Sequence, residues 1–443
     1  MLKTPDKIKK QEDINLKKYL ALILGVLFVL SFAASAFAIH AEIPSETQAV
    51  VAKSDVQITL GGEIRVRGWW KDKVNSANLP TKDITSAYYD ERVRLSLDAA
   101  VAPGIKGFVM FETNGGTNPS QSDVYTWGSF NQKPNSMNIN EAWLLYSGSG
   151  LLGFNSGLKI GHMPLALGQK EFFDHTKFGD DAIVFFMDPT KQIHVGLLTI
   201  KFAEGSKSVS GDDLDGYVGL MTYKIDDKNT VGINYTYLNQ SNAGFSHQNL
   251  GLHANGNISG IGYMATGDIQ FGKVGDGTPL ESDFKGYALQ LGLDYGLSPE
   301  VKIRGALAYG SGDDDLGDND IDTFVTYLGN DQHYTLIYEY LVTSAAGSIN
   351  TGLSNTGYIN LGLDWKATKD LGLSIDGYWL QASEDNPITK SDEIGWEVDG
   401  KIKYALAKNL TYQIDAGYFD AGDLYGNDAK GVTVLRHLIQ LNF

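Results

Sequence analysis

Segments of about ten residues with strict two-residue alternation recur along most of this chain, each closed by a turn or a polar loop. In "TVGINYTYL", Val231, Ile233, Tyr235 and Tyr237 share one parity, and Gly232, Asn234 and Thr236 share the other. "GYINLGLDWK" sets Ile359, Leu361, Leu363 and Trp365 opposite Asn360, Gly362, Asp364 and Lys366. In "IGWEVDGKIKY", Ile394, Trp396, Val398, Ile402 and Tyr404 oppose Glu397, Asp399, Lys401 and Lys403. "LTYQIDAGYF" repeats the pattern. Alternation continues to the last residue, where Leu435, His437, Ile439, Leu441 and Phe443 share a face. A period of two is the signature of a strand with one apolar and one polar side, so the fold is all-β.

A soluble antiparallel sheet buries the apolar face; a membrane barrel turns it to lipid and its polar face to a lumen. The amino-terminal segment favours the second. Lys3, Lys7, Lys9, Lys10, Lys17 and Lys18 precede the apolar run "YLALILGVLFVLSFAASAFA", which ends in the small-x-small triplet Ala36-Phe37-Ala38. That is the pattern of a secretory signal peptide over residues 1–38, cleaved after Ala38. Residues 39–54 read as a short periplasmic leader, and 55–443 as the barrel. No later segment reaches the roughly eighteen consecutive apolar residues of a spanning helix. Aromatic residues gather toward strand ends, at Trp69, Trp70, Tyr295, Tyr309, Trp365, Tyr404 and Tyr418, where a membrane interface favours amphipathic rings. The chain has no cysteine, so disulfides play no part in its stability. Its net charge of -17 argues against nucleic acid as a partner.

Loop lengths set the count and the orientation. Short links occur at "APGIKG", "DDKN", "GLSPE", "ATKD" and "AKN", with longer polar loops between them, notably 115–138 and 311–355. In outer-membrane barrels the short turns face the periplasm and the long loops face outside. Strands are predicted over 57–70, 88–102, 105–114, 139–147, 157–163, 182–188, 193–203, 215–225, 229–239, 246–254, 258–272, 284–295, 301–310, 356–366, 371–381, 394–406, 410–419 and 432–443. These make eighteen, an even number; without the pair 246–254 and 258–272 the barrel would have sixteen. The expected architecture is a transmembrane antiparallel up-and-down β-barrel in the outer membrane of a Gram-negative bacterium. A carboxy-terminal strand ending in Phe443 would close it and serve as the signal to the barrel-assembly machinery.

The stretch "INEAWLLYSGSGLLGFNSGLKIGHMPLALGQKEFFD" resembles the alginate-export family of outer-membrane barrels, in which a strand, a turn and a second strand lead into a long loop. "ISGIGYMATGDIQFGKV", "FKGYALQLGLDYGL" and "IRGALAYGSGDDD" are similar to three successive strands of that family, and "DTF" to "GLSNTGYINLGL" keeps its order of landmarks. The resemblance implies an eighteen-stranded barrel with a lumen rich in basic groups, but it does not imply alginate as the solute.

Among the residues that could carry function, the arginines stand out. Arg65 and Arg67 lie on the first strand, Arg92 and Arg94 on the second and Arg436 on the last, and in a closed barrel the last strand pairs with the first. Five of the six arginines therefore sit on three adjacent strands, each opposite in parity to its apolar neighbours. All five are expected in the lumen, because an arginine facing lipid costs about 2–4 kcal/mol near the midplane. They would form a cationic strip that draws anions. Alternatively they form a charge ladder, since Glu63 shares the parity of Arg65 and Asp90 that of Arg92. In "GSGDDDLGDNDIDTF" the acids crowd closely enough that Asp313, Asp315, Asp318 and Asp320 could gather a structural calcium ion, although the spacing is not that of an EF-hand. The same loop carries "HYTLIYEYL", too apolar for solvent and expected to fold over the mouth or into the lumen, as "DHTKFGDDAIVFFMD" could on another loop.

No H-E-x-x-H, G-x-S-x-G or C-x-x-C-H pattern occurs, so an enzyme is not expected. The expected function is a porin: a water-filled channel through which small hydrophilic, anionic solutes pass down their gradients. The alternatives are an exporter of an anionic polysaccharide, a barrel that sheathes an electron-transfer partner such as a multihaem carrier, and, last, an outer-membrane hydrolase.

Overall fold

A computed structural model describes residues 56–74, 80–114, 124–128, 136–209, 211–315, 317–326, 334–342, 352–426 and 429–443. The signal-peptide and leader segments, and most of 115–138, lie outside the described residues. All described elements belong to the unit Gln48–Phe443.

Eighteen long strands make the wall: β1 (Gln57–Val74), β2 (Pro80–Ala102), β3 (Ile105–Asn114), β4 (Ser136–Gly148), β5 (Ser156–Met163), β6 (Asp180–Met187), β7 (Ile193–Ala203), β8 (Leu214–Lys224), β9 (Thr230–Gln240), β10 (Phe245–Ile258), β11 (Ile261–Val274), β12 (Tyr287–Gly296), β13 (Val301–Gly310), β14 (Gly357–Lys366), β15 (Leu371–Gln381), β16 (Glu393–Ala407), β17 (Leu410–Ala421) and β18 (Val432–Asn442). Each pairs antiparallel with its neighbours in the chain. β18 returns to β1 in a register running from Glu63 opposite Asn442 to Asp72 opposite Thr433, so the sheet has no edge. Three short strands add to the wall: Tyr125–Thr126 on β2, and Ser282–Phe284 paired in parallel with Asp320–Ile321. The predicted strand at 284–295 is thus broken, with Gly286 between its pieces; a Cβ there would sit 2.5 Å from the Thr323 carbonyl oxygen.

The short turns are built from side chains that satisfy their own backbone. Asp226 accepts from the N–H groups of Lys228 and Asn229 at 2.8 and 2.9 Å. Ser298 does the same for Glu300 and Val301, and Thr368 for Asp370 and Leu371. These turns lie at one end of the barrel and the long loops at the other.

The parity pattern holds around the wall. Outward positions carry Leu361, Leu289, Ile359, Ile375, Leu307 and Leu197, all exposed. Inward positions carry Asn234, Thr236, Asn249, Gln290, Asn360 and Glu397, all buried. In water the outward side would be a large unpartnered apolar surface; in hydrocarbon it is already satisfied. Trp70, Tyr295, Tyr309, Trp365, Tyr404 and Tyr418 stand on this outer face. Trp69 does not: it has the parity of Arg67, points inward and is 5% exposed, against 38% for Trp70. A ring near a strand end can face either way, and parity decides which. No described helix is long and apolar enough to cross a membrane.

Candidate functional site

The interior is partly filled by two loops. The loop between β5 and β6 buries Leu167, Phe172 and Phe173, and Phe172 meets His247 of β10 edge-on at 5.5 Å. The loop between β13 and β14 turns inward twice. Phe324 is buried, and beside it the Val325 backbone exchanges two hydrogen bonds with the Gln270 side chain of β11, at 2.7 and 2.9 Å. Further on, Ile337, Tyr338 and Val342 are wholly buried, around a single helical turn at Tyr338–Leu341. That turn is held by carboxylates of β16. Glu397 accepts from the N–H groups of Ile337 and Tyr338 at 2.6 and 2.8 Å, and Asp399 from Leu336 at 3.0 Å. The N–H groups that begin a helical turn have no partner within it, so a carboxylate is their natural acceptor. The apolar "HYTLIYEYL" segment thus lies inside the barrel from Tyr334 onward, and its first residue falls outside the described ones.

These loops leave a cavity of about 410 Å³. One wall is Arg65, Arg67, Arg92 and Arg436 from β1, β2 and β18. Beside it on the same stretch of wall stand Ser374, Asp376, Asp399, Lys401 and Asp415 from β15, β16 and β17, since β17 pairs with β18. Tyr334, Tyr340 and Lys177 reach in from the two loops. Four of the five arginines predicted to share a face therefore meet at one place.

The arginine wall is laced with acids. Arg67 binds Asp90 through Nε and Nη2 at 2.7 and 3.0 Å, and Asp90 also accepts from the Trp69 indole at 2.8 Å. Arg92 grips Glu63 at 2.7 and 3.1 Å, Arg94 pairs with Glu112, and Arg436 binds Asp415 at 2.9 Å. Arg304, the sixth arginine, spans Asp364 and Asp376, with four contacts between 2.9 and 3.0 Å. Trp69 lies among cations: the Arg67 and Arg436 guanidinium carbons are 5.3 and 5.0 Å from its ring centre, and Lys71 Nζ is 5.0 Å away. Tyr340 of the inserted loop meets the same ring at 6.2 Å, so the loop bridges β16 to β1.

Parity in the sequence places the arginines, Glu63, Asp90 and Trp69 on one face, but it does not bring Asp376, Asp399 and Lys401 to them. The parity of Glu397, Asp399 and Lys401 marks them as inward. Closure puts them three strands from β1, but nothing in the sequence says that the inserted loop joins the two.

In the acidic loop, the carboxylates of Asp313, Asp314 and Asp322 converge within 4.8 Å of one another. Burial and the charges of Asp313 and Asp320 raise the Asp322 carboxyl above its usual range. Asp315 and Asp318 turn to N–H groups of their own loop, Gly317 and Asp320, and Asp320 pairs with Lys285. The loop thus brings Asp313 together with two acids outside the predicted calcium set. His437 faces outward, edge-on to Tyr89 at 5.6 Å, with the Tyr412 hydroxyl at 3.4 Å.

A family model described as alginate export matches residues 212–434. None of the curated proteins matches this chain. Among solved structures, it is similar to three outer-membrane proteins of Pseudomonas aeruginosa. OpdL is 11% identical, with a TM-score of 0.58 over 87% of this chain and 98% of that one. OprD is 11% identical, with a TM-score of 0.56 over 87% and 93%. OpdK, solved with vanillate, is 10% identical, with a TM-score of 0.56 over 87% and 98%. At such identities the likeness is one of fold, and it spans nearly the whole length of each.

Proposed function

Because the chain belongs to the alginate export family, we propose that it is a passive outer-membrane channel for small hydrophilic anions, with the lumen between the arginine wall and β16 as its constriction. One observation carries this reading: the inserted loops narrow a closed barrel to a cavity lined by Arg65, Arg67, Arg92, Arg436, Lys177 and Lys401. Six basic side chains against the three acids Asp376, Asp399 and Asp415 leave the lining net positive, which raises the local concentration of anions and repels cations. The aromatic rings of Trp69, Tyr334, Tyr340 and Tyr378 around the same space suit a solute with a flat or ring-shaped body. Passage needs no chemistry, and no catalytic role is proposed for any residue. Export through a cleaved signal, contact of the outer face with lipid and assembly through β18 belong to the same proposal.

The family's name favours a second reading, export of an anionic polysaccharide. A polymer needs an open bore, and the Tyr334–Val342 segment stands in it, so this reading requires that segment to move. A sheathed electron carrier would need the space that the two loops occupy.

The test is conductance in a planar bilayer with a salt gradient. The channel reading expects ion flow from the protein alone, with anions preferred, and a weaker preference in Arg65→Ala combined with Arg92→Ala. Absence of conductance without a partner, or a preference for cations, would overturn it.

A further inference from the structure

We infer that Lys71 and Lys401 are the specificity-determining residues of this lumen; the inference rests on the channel reading above and names the residues that give it its sign. The paired arginines are poor candidates. Arg67, Arg92, Arg94 and Arg436 are each held against Asp90, Glu63, Glu112 and Asp415. A guanidinium locked to a carboxylate presents a dipole to a passing ion, not a net charge. Two of the cavity's acids are engaged in the same way, Asp415 by Arg436 and Asp376 by Arg304 at 2.9 Å, whereas Asp399 receives a backbone N–H, from Leu336.

Lys71 and Lys401 differ. Neither has a carboxylate within ion-pair distance among the described residues. Lys71 lies over two aromatic faces, 5.0 Å from the Trp69 ring centre and 5.3 Å from that of Tyr88. Such faces hold an ammonium group without cancelling its charge. Lys401 stands three strands from β1, next to Ser374 on one side and Asp415 on the other in the strand register, and it lines the cavity. Asp415 has turned to Arg436, which leaves the Lys401 ammonium to the lumen.

The two lysines sit at different depths. In the strand register Lys401 lies on the row of Trp69, through Asp415 and Arg436, and Lys71 lies two residues nearer the long loops. An anion entering from the loops meets Lys71 first and Lys401 within the constriction. Lysine suits both positions, since its ammonium is a compact point charge, held over two rings at Lys71 and exposed at Lys401.

The experiment is the reversal potential of single channels in a potassium chloride gradient, for four proteins. In Lys71→Gln with Lys401→Gln, the anion-to-cation permeability ratio should fall severalfold. In Lys71→Arg with Lys401→Arg, which keeps the charge, it should return toward the parent value. In Arg94→Gln with Glu112→Gln, which removes a paired charge outside the cavity lining, it should stay at the parent value. Heat-modifiable mobility on gels confirms that each barrel has formed. A parent that prefers anions, with an unchanged ratio in the double glutamine variant, overturns this inference and leaves the channel reading standing. Loss of selectivity in the Arg94/Glu112 variant also overturns it, by returning the sign to the arginines. A parent without anion preference overturns both.

Discussion

Asp90 shows how a charged residue can be structural inside a barrel. It is 2% exposed, takes both prongs of the Arg67 fork and accepts the Trp69 indole. Substituting Asp90→Ala leaves a buried guanidinium and a buried indole N–H without their acceptor. The expected cost is about 3–5 kcal/mol, the usual penalty for breaking one side of a buried pair. Urea unfolding from lipid vesicles measures it, and a loss below the scatter of repeat measurements would mean that water reaches Arg67. Asp322 gives a prediction of opposite sign. Its carboxyl is raised, chiefly by burial and then by Asp313 and Asp320, so the folded loop holds the proton more tightly than the unfolded chain. Folding of the loop is therefore unpenalised below the ordinary carboxyl range and loses stability as pH rises toward the raised value. Asp322→Asn should protect residues 311–326 from hydrogen exchange at neutral pH and change little in strong acid. Equal protection of parent and variant at neutral pH would refute it.

At the scale of elements, the strands are legible in the sequence and the loop in the lumen only in outline. All eighteen predicted segments are strands, including 182–188 and 246–254, because alternation is local and each strand carries its own signal. Their ends differ by a few residues; β1 and β2 run on past the expected limits to Val74 and back to Pro80, where polar residues no longer distinguish a lumen from solvent. Ring type alone assigns Trp69 to the membrane interface, whereas its parity with Arg67 places it inside. The apolarity of "HYTLIYEYL" shows that it must be covered, but its anchor cannot be read, because Glu397 lies about sixty residues away in the chain. That anchor is testable. Glu397→Ala removes the acceptor for both the Ile337 and Tyr338 N–H groups, and Glu397→Gln keeps one acceptor oxygen. The Ala variant should show larger and noisier single-channel currents than the parent, with the Gln variant between them. Quiet, parent-sized currents from both would show that packing of Ile337 and Tyr338 suffices to hold the loop.

For the whole molecule, the lumen depends on the inside-out arrangement, and single substitutions can probe it by depth. Leu361 is midway along β14, outward and 72% exposed, as it should be if that face meets hydrocarbon. Tyr404 is outward too, but close to the short turn that ends β16. Ser374 is inward and lines the cavity. If the outer face lies in a bilayer, Leu361→Arg should cost about 2–4 kcal/mol and Tyr404→Arg nearer 0–1, because the penalty for a lipid-facing charge decays toward the interface. Ser374→Arg should cost less than Leu361→Arg, since its new charge faces the polar lumen, with Asp376 and Asp399 nearby to set against its register partner Lys401. A soluble sheet predicts another order: an arginine at an already exposed Leu361 would be harmless, and one at Ser374 would disrupt a core. Refolding yields and unfolding free energies in vesicles rank the three variants. Leu361→Arg as the costliest of the three fits only a barrel with its apolar side in lipid, and Ser374→Arg as the costliest would remove the lumen and with it the selectivity assigned to Lys71 and Lys401.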